Sequence, residues 1–117
     1  MHELSVCRGL IEQVARVARE HGGQRVVSVT VRIGPLSGVE AQLLRSAYPL
    51  ASVGTIAQTA TLIIEQLPVR VRCLECGAQS EVETTRLVCA ACGTSRVQLL
   101  CGDELLLASV ELERKDA

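Results

Sequence analysis

Apolar residues recur at helical spacing in the first twenty residues of the chain. They lie three or four positions apart, with charged and polar residues between them, as in a helix that buries one face. The apolar positions are Leu4, Cys7, Leu10, Ile11, Val14, Val17 and Ala18. We therefore predict a first helix over residues 4–20, ended by Gly22 and Gly23, because glycine commonly ends helices.

Three later segments have the alternation or the β-branched composition that is typical of strands. They are residues 25–33, 61–67 and 104–113. The predicted buried faces of the first and third strands consist of Val27, Val29, Val31 and Ile33, and of Leu106, Ala108, Val110 and Leu112. Each strand should therefore bury one side and expose the other.

A second helix is predicted between the first two strands. Ser37 lies three residues before Glu40, which is the spacing of a capping box, where each side chain accepts a backbone N–H from the other residue. We predict that the helix begins there, ends near Tyr48 and is followed by a loop from Pro49 to Thr55.

Four cysteines between the second and third strands form two C-x-x-C pairs. Cys73 pairs with Cys76, and Cys89 pairs with Cys92. Four thiolates complete the tetrahedral shell of a structural zinc ion and leave no coordination position open. A redox dithiol or a pair of disulfides is the alternative, but the recurrence of the pair in register favours a zinc ribbon.

The order of the elements is helix, strand, helix, strand, zinc segment, strand. This order predicts an α+β fold, in which two helices and a three-stranded sheet form a two-layer domain. The zinc ribbon should be a subdomain inserted between two neighbouring strands. We expect the two-layer domain to comprise residues 1–68 and 102–117, and the zinc-binding domain to comprise residues 69–101.

Composition and charge exclude several classes of function. The chain has 117 residues and a net charge of -1, which argues against a general attraction to nucleic acid or anionic lipid. It contains no phosphate-binding loop and only two histidines, so we do not expect an enzyme. Without a membrane-spanning run or a signal peptide, we expect a cytoplasmic protein with reduced thiols.

The amino terminus, Met1-His2-Glu3, is a second candidate metal site. The imidazole and backbone nitrogens of His2 and the carboxylate of Glu3 could form a nitrogen and oxygen plane, which suits Ni(II) or Cu(II). Histidine and glutamate at a chain end more commonly form a solvated polar terminus. From these residues alone, both interpretations stay open.

Short motifs distributed along the chain match one protein family in combination. They are Met1-His2-Glu3-Leu4-Ser5, Val31-Arg32-Ile33-Gly34, Leu36-Ser37-Gly38-Val39, Gly54-Thr55, Pro68, the four-cysteine ribbon and Gly102-Asp103-Glu104-Leu105. Together they resemble the HypA/HybF family, the nickel-insertion accessory proteins of [NiFe]-hydrogenase maturation. The resemblance covers essentially the whole chain.

The resemblance implies a nickel metallochaperone with two metal sites. Ni(II) would be held transiently by the side chain and backbone amide of His2, with Glu3 beside it. Glu40 matches a position that is acidic in some relatives and is a further candidate for the nickel site, besides its expected capping role. Structural Zn(II) would be held by Cys73, Cys76, Cys89 and Cys92.

The same resemblance implies partners and leaves some residues unassigned. The implied partners are the GTPase HypB and the hydrogenase large subunit, and a homodimer is a further expectation. The chain departs from the family at Ala41 and Ala90, where proline is common, but neither is a proposed ligand. Cys7 is expected in the core, Cys101 either packs or exchanges as a ligand, and His21 is not expected to bind metal.

An adaptor that binds nucleic acid or protein through the zinc ribbon is the alternative function. Between Pro68 and Cys101 the chain has four arginines against three glutamates. With a zinc tetrathiolate counted as about minus two, this segment is slightly negative and offers no aromatic side chain for stacking on a base. We therefore expect no nucleic-acid partner.

Overall fold

The structure is a computed structural model and describes residues 2–114. In this range it has two helices and six strands. In chain order they are α1 (His2–Glu20), β1 (Arg25–Ile33), α2 (Ala41–Ser52), β2 (Thr61–Gln66), β3 (Val69–Cys73), β4 (Gln79–Val82), β5 (Val97–Cys101) and β6 (Leu105–Glu113). The predicted α+β fold is confirmed. Met1 and residues 115–117, which the prediction includes in the two-layer domain, lie outside the described range.

The six strands form two separate three-stranded sheets, ordered β2-β1-β6 and β4-β3-β5. In the first, β1 pairs in parallel with β2 and antiparallel with β6. The prediction that the strands before and after the zinc segment are sheet neighbours is therefore wrong. Val26, Val29 and Val31 of β1 are almost completely buried, and a strand buried to this extent takes the central position. β2 and β6 flank it.

Two irregularities in the pairing of β1 with β6 change which residues are buried. The register shifts between Val26 and Ser28, so Val27 is an extra residue in the ladder, and a β-bulge of this kind interrupts the alternation of side chains. Val26 is buried in place of the predicted Val27. The buried face of β1 is therefore Val26, Val29, Val31 and Ile33.

A second shift, between the partners of Thr30 and Val31, makes Ala108 the extra residue in β6. The face that packs on the core consists of Leu105, Leu107, Val110 and Leu112. The prediction of Leu106 and Ala108 on this face is wrong, and Leu106 is 40% exposed. The bulge reverses the side-chain alternation halfway along the strand, so no single period of two describes it.

Both helices cover one side of the first sheet. α1 packs on α2 and over β1 and β6, while α2 also contacts β2. Their shared interior includes Val14 and Leu44, both completely buried, and the hydroxyl of Tyr48 donates to the carbonyl of Ala57 at 2.8 Å. Within residues 2–114, neither helix is long and apolar enough to cross a membrane.

The start of α2 differs from the prediction. The helix begins at Ala41, and Glu40 is its N-cap without a side-chain capping bond. The hydroxyl of Ser37 instead accepts the N–H of Val39 at 3.2 Å, inside a turn through Gly38. The predicted capping box is therefore wrong, because Ser37 stabilises the turn before the helix.

The end of α2 also differs, because the helix continues through Pro49 to Ser52. Leu44, Tyr48 and Ser52 are all buried and lie four residues apart, so they form one stripe against the core. Packing of this stripe outweighs the backbone hydrogen bond that proline cannot make. The loop predicted from Pro49 is thus shorter than expected.

The two segments that connect the sheets are bonded to the loop after β1. In the loop, the N–H of Gly34 donates to the carbonyl of Glu104 at 2.8 Å, and the N–H of Leu36 donates to the carbonyl of Gly102 at 2.7 Å. From the other connection, the N–H of Leu67 donates to the carbonyl of Ile33, the last residue of β1, at 2.9 Å. A Cβ on Gly34 would overlap the carbonyl of Gly102. We call this close approach the glycine crossing.

We predict that Gly34→Ala destabilises the protein by at least about 2 kcal/mol, because overpacking against backbone forces the crossing apart. Gly9→Ala is the control. Gly9 lies inside α1 with open space around an added Cβ, so alanine there should raise stability by about 0.5 to 1 kcal/mol. Thermal unfolding of both variants tests this prediction, and an unchanged melting temperature for Gly34→Ala would contradict it.

Candidate metal centres

The two C-x-x-C pairs form two turns of nearly the same geometry. In the first, the N–H of Gly77 donates to the carbonyl of Cys73 at 3.1 Å, and in the second the N–H of Gly93 donates to that of Cys89 at 2.8 Å. Both glycines have positive φ, 76° and 79°, which favours a residue without a Cβ. The turns therefore present their thiols in equivalent ways.

Each turn directs backbone N–H groups at its first sulfur. The N–H groups of Glu75 and Cys76 lie 3.3 and 3.2 Å from Cys73 Sγ. Those of Ala91 and Cys92 both lie 3.4 Å from Cys89 Sγ. Such bonds stabilise a thiolate, which is the form that binds metal.

The four sulfur atoms lie within 4.8 Å of one another. The Sγ atoms of Cys73 and Cys92 are 3.6 Å apart, as are those of Cys76 and Cys89. A tetrahedral zinc ion with bonds of about 2.3 Å requires sulfurs about 3.8 Å apart, whereas a disulfide requires about 2.05 Å. The cysteines are free thiols, and their arrangement fits a metal ion and does not fit disulfides.

Hydrogen bonding divides the thiols into two classes. The backbone N–H of Cys76 lowers the pKa of Cys73 to about 6; burial opposes this shift and the N–H of Glu75 adds to it. The N–H of Cys92 likewise lowers the pKa of Cys89, again against burial. Each turn therefore supplies one thiol that ionises readily.

The second cysteine of each turn ionises less readily. At Cys92 the N–H of Thr94 lowers the pKa, but the hydrogen bond to Cys73 and burial outweigh it and raise the pKa to about 12. At Cys76 the N–H of Ala78 lowers the pKa, and the hydrogen bonds to Cys73 and Cys89 reverse that effect, so the net shift is upward. These two sulfurs therefore lose their protons less readily than those of Cys73 and Cys89.

His2 begins α1, and its imidazole is held from one side. Nε2 lies 2.8 Å from the carbonyl oxygen of Gly38 and 3.3 Å from Oε2 of Glu3. A carbonyl oxygen only accepts, so Nε2 carries a proton, and in the neutral imidazole the lone pair on Nδ1 is then left for another group. The His2 side chain is 60% exposed, whereas that of Glu3 is 12% exposed.

The backbone at this terminus also has unused donors. The N–H groups in the first turn of a helix have no acceptor four residues earlier. His2 and Glu3 occupy that turn of α1. The backbone nitrogen of His2 can therefore give up its proton to solvent and bind a metal ion without breaking a hydrogen bond of the helix.

The structure does not gather all the predicted nickel residues. Within residues 2–114, the four cysteines are the only group of three or more His, Cys, Asp or Glu side chains close enough to share an ion. Glu40 is exposed at the start of α2 and does not join His2 and Glu3 in such a group. It follows Gly38 by two residues, on the loop that His2 contacts.

The other candidate residues lie apart from both centres. Cys7 is buried in the core as predicted, with Sγ 3.5 Å from the carbonyl oxygen of Leu44. Burial, and then the charge of Glu3, raises its pKa. Cys101 is half-buried, with Sγ 3.4 Å from the carbonyl oxygen of Pro68, and it is not part of the sulfur cluster. His21 is exposed.

Sequence reasoning missed the carbonyl of Gly38 as a partner of His2. Thirty-six positions separate the two residues, and a backbone oxygen leaves no residue-specific signal in a sequence. The only indication was the Ser37-Gly38 pair, which is typical of a turn.

Comparison with known proteins assigns the chain to a family. Residues 1–112 match the family described as "Hydrogenase/urease nickel incorporation, metallochaperone, hypA". The chain belongs to the HypA family. It is 50% identical over 112 residues to the hydrogenase maturation factor HypA of Nitrosospira multiformis. The aligned region covers 96% of this chain and 97% of that protein. The HypA of Aquifex aeolicus is 39% identical over 113 residues, or 97% of this chain and 98% of that protein.

Solved structures of HypA proteins have the same fold. The solution structure of the Ni metallochaperone HypA from Helicobacter pylori superposes with a TM-score of 0.70 at 26% identity, covering 98% of this chain and all of that one. A second structure, "Solution structure of HypA protein", gives a TM-score of 0.74 at 26% identity, covering 98% of each chain. The predicted resemblance to HypA is therefore confirmed.

We predict that zinc binding at pH 7 releases about two to three protons per ion, because thiols must lose their protons to bind and the pKa of Cys73, lowered to about 6, favours its thiolate at pH 7. Most of the protons come from Cys76 and Cys92, whose pKa values are raised. Acidification below the pKa of Cys73, about 6, protonates the remaining thiolates and weakens zinc binding.

Calorimetry of the reduced, metal-free protein in buffers of different ionisation enthalpy measures the number of protons released. Cys101→Ser should leave this number unchanged, because its sulfur lies outside the cluster. Release of four protons at pH 7 would contradict the division of the thiols into two classes.

Proposed function

We propose that this protein is a nickel metallochaperone that carries Ni(II) at its amino terminus during maturation of [NiFe]-hydrogenase, with Zn(II) as a structural ion. The observation that carries the nickel site is the hydrogen bond of His2 Nε2 to Gly38 at 2.8 Å. It holds the imidazole while leaving Nδ1 and the backbone nitrogen for the ion. Membership in the HypA family supports the same cargo.

Nδ1 and the backbone nitrogen of His2 are suited to chelate one ion together. In any histidine these two atoms close a six-membered ring with a bound metal, and nitrogen ligands in a plane suit Ni(II). A ligating histidine commonly donates its other ring N–H to a carbonyl or carboxylate. Here Gly38 and Glu3 supply both kinds of acceptor.

The position of Glu3 supports a role in orienting the imidazole. Its carboxylate lies on the Nε2 side of the ring, 3.3 Å away, and a metal on Nδ1 would bind at the other ring nitrogen. Glu3 therefore contributes its charge to the site through His2. Glu40, exposed on the same loop as Gly38, is the carboxylate that we propose as an additional, exchangeable ligand.

Exposure of the site favours transfer of the ion. The His2 side chain is 60% exposed, and few protein ligands hold the ion, so a partner can replace them one at a time. Zinc would be held differently, by Cys73, Cys76, Cys89 and Cys92, in a closed shell that performs no catalysis. We therefore propose a carrier of metal and not an enzyme.

We propose that residues 1–68 and 102–117 form the nickel-binding domain and residues 69–101 the zinc-binding domain. The observation that two sheets share no strand supports this division. Six free thiols suit a reducing compartment, which supports a cytoplasmic location.

We also propose the GTPase HypB and the hydrogenase large subunit as partners, because the chain has no nucleotide-binding motif of its own. A shallow groove between the start of α1 and α2 supports docking of a protein beside His2. Leu43 and Leu50 on its rim are 47% and 74% exposed, and a homodimer through this face is the competing arrangement.

His2→Ala should abolish tight Ni(II) binding and leave one zinc ion per chain, because it removes the imidazole and does not touch the cysteine cluster. The matched control is His21→Ala, since His21 is exposed at the other end of α1 and should leave both metals unchanged. Calorimetry and metal analysis of untagged protein provide the measurements. Equal nickel affinity in His2→Ala and the wild type would refute the nickel site.

Cys73→Ser should lower the zinc content and weaken binding to HypB, while the helices and the nickel affinity persist. The reason is that a lost thiolate opens the zinc shell, whereas the first sheet shares no strand with the cysteine segment. Cys101→Ser is the control that should keep the zinc. Zinc analysis, circular dichroism and co-elution with HypB measure these effects. If Cys73→Ser retained the zinc and the partner, the proposed roles of this cluster would be wrong.

A further inference from the structure

The loop from Gly34 to Glu40 is a tight turn with little freedom. The N–H of Ser37 donates to the carbonyl of Gly34 at 3.1 Å, and the N–H of Val39 donates to the hydroxyl of Ser37 at 3.2 Å. Gly38, between them, has φ of +80°. Its carbonyl is the one that accepts the imidazole of His2.

The base of this loop is bonded to the glycine crossing. The N–H groups of Gly34 and Leu36 donate to the carbonyls of Glu104 and Gly102 at 2.8 and 2.7 Å, and the carboxylate of Glu104 accepts the N–H of Gly102 at 2.7 Å. Val39, next to Gly38, is buried in the core. The Gly38 carbonyl therefore has a defined position relative to α1, where His2 lies.

Two acceptors are available for the single proton on Nε2. The carbonyl of Gly38 is at 2.8 Å and the carboxylate of Glu3 is at 3.3 Å, and the usual length of such a bond is about 2.9 Å. The carbonyl is therefore the main acceptor. A hydrogen bond contributes about 1 kcal/mol net, which is enough to favour one imidazole tautomer about fivefold.

We propose that Gly38 is a positioning residue for nickel capture. Its left-handed backbone directs its carbonyl at His2, which keeps the proton on Nε2 and presents the Nδ1 lone pair to the ion. Gly38 does not touch the ion itself. The nickel part of this inference rests on the proposed function, whereas the tautomer of His2 can be measured without any metal.

The geometry explains why the residue is glycine. An added Cβ at Gly38 would meet no atom within 4 Å, so lack of space does not require glycine. The requirement comes from φ of +80°, a backbone conformation that strains any residue with a Cβ. Alanine can relieve that strain by rotating the peptide, and the carbonyl then leaves Nε2.

A matched pair of variants separates this role from a general loss of stability. Gly54 has φ of +77° and also has open space around an added Cβ, but it follows α2 and its N–H donates to Gln58. Gly38→Ala and Gly54→Ala therefore introduce similar strain. Only Gly38→Ala disturbs the acceptor of His2.

The first measurement is the tautomer of His2 in metal-free protein, from long-range ¹⁵N–¹H NMR spectra at a pH where the imidazole is neutral. We expect the proton on Nε2 in the wild type and in Gly54→Ala, and a larger share of it on Nδ1 in Gly38→Ala, where only the more distant carboxylate of Glu3 is left as an acceptor for Nε2. Protonation of Nδ1 in the wild type, or an unchanged tautomer in Gly38→Ala, would overturn the inference.

The second measurement is calorimetry with Ni(II). Loss of a partner that orients a ligand typically costs 10- to 100-fold in affinity, so we expect Gly38→Ala to bind nickel more weakly by about this factor and Gly54→Ala to bind as the wild type does. Equal affinities in the two variants would overturn the positioning role. Indifference of the wild type to Ni(II) would instead refute the proposed function, and the tautomer measurement would still decide the inference.

Should Gly38→Ala fail to fold, Ser37→Ala provides a milder test. It removes the hydroxyl that accepts the N–H of Val39 without placing a Cβ at positive φ. We expect a smaller change in the same direction for both the tautomer and the nickel affinity. No change in either would overturn the inference.

Discussion

The close approach of two backbones at the glycine crossing is the constraint on which the arrangement of the chain depends. Gly34 and Gly102 approach so closely that no Cβ fits on Gly34, and hydrogen bonds through Gly34 and Leu36 hold the contact. The crossing lies where the chain returns from the second sheet to β6. It therefore fixes the return segment and also the loop that leads to α2. Both the cysteine segment and the acceptor of His2 are attached to this point.

The two candidate metal centres differ in the number and type of ligands that they offer, and each set of ligands suits the proposed task of its centre. Four sulfur atoms within 4.8 Å of one another, with backbone N–H groups directed at two of them, suit an ion that stays bound. The amino terminus instead offers an exposed, oriented imidazole and a backbone nitrogen that can lose its proton without breaking a helical hydrogen bond. A site with few ligands exchanges its ion readily, whereas a closed tetrathiolate does not.

The first sheet shows where local patterns stop predicting a structure. The presence of β1 and β6 follows from their composition, but bulges at Val27 and Ala108 move the buried positions by one residue. Each bulge depends on the partner strand, because two residues of one strand must oppose one residue of the other. A pattern within one strand has no information about that partner. The stop of α2 at Ser52 instead of Tyr48 has a similar cause, since packing on the core carries the helix through Pro49.

The sequence by itself determined the two helices, the three strands of the first sheet, the α+β class, the HypA resemblance and the four cysteines, because periodicity and C-x-x-C spacing act between residues close together in the chain. Only the tertiary structure decided that β1 is central, that Ser37 stabilises a turn and that Gly38 accepts the imidazole of His2. These features are contacts between distant segments or competing uses of one polar group. Their outcome depends on how the whole chain packs.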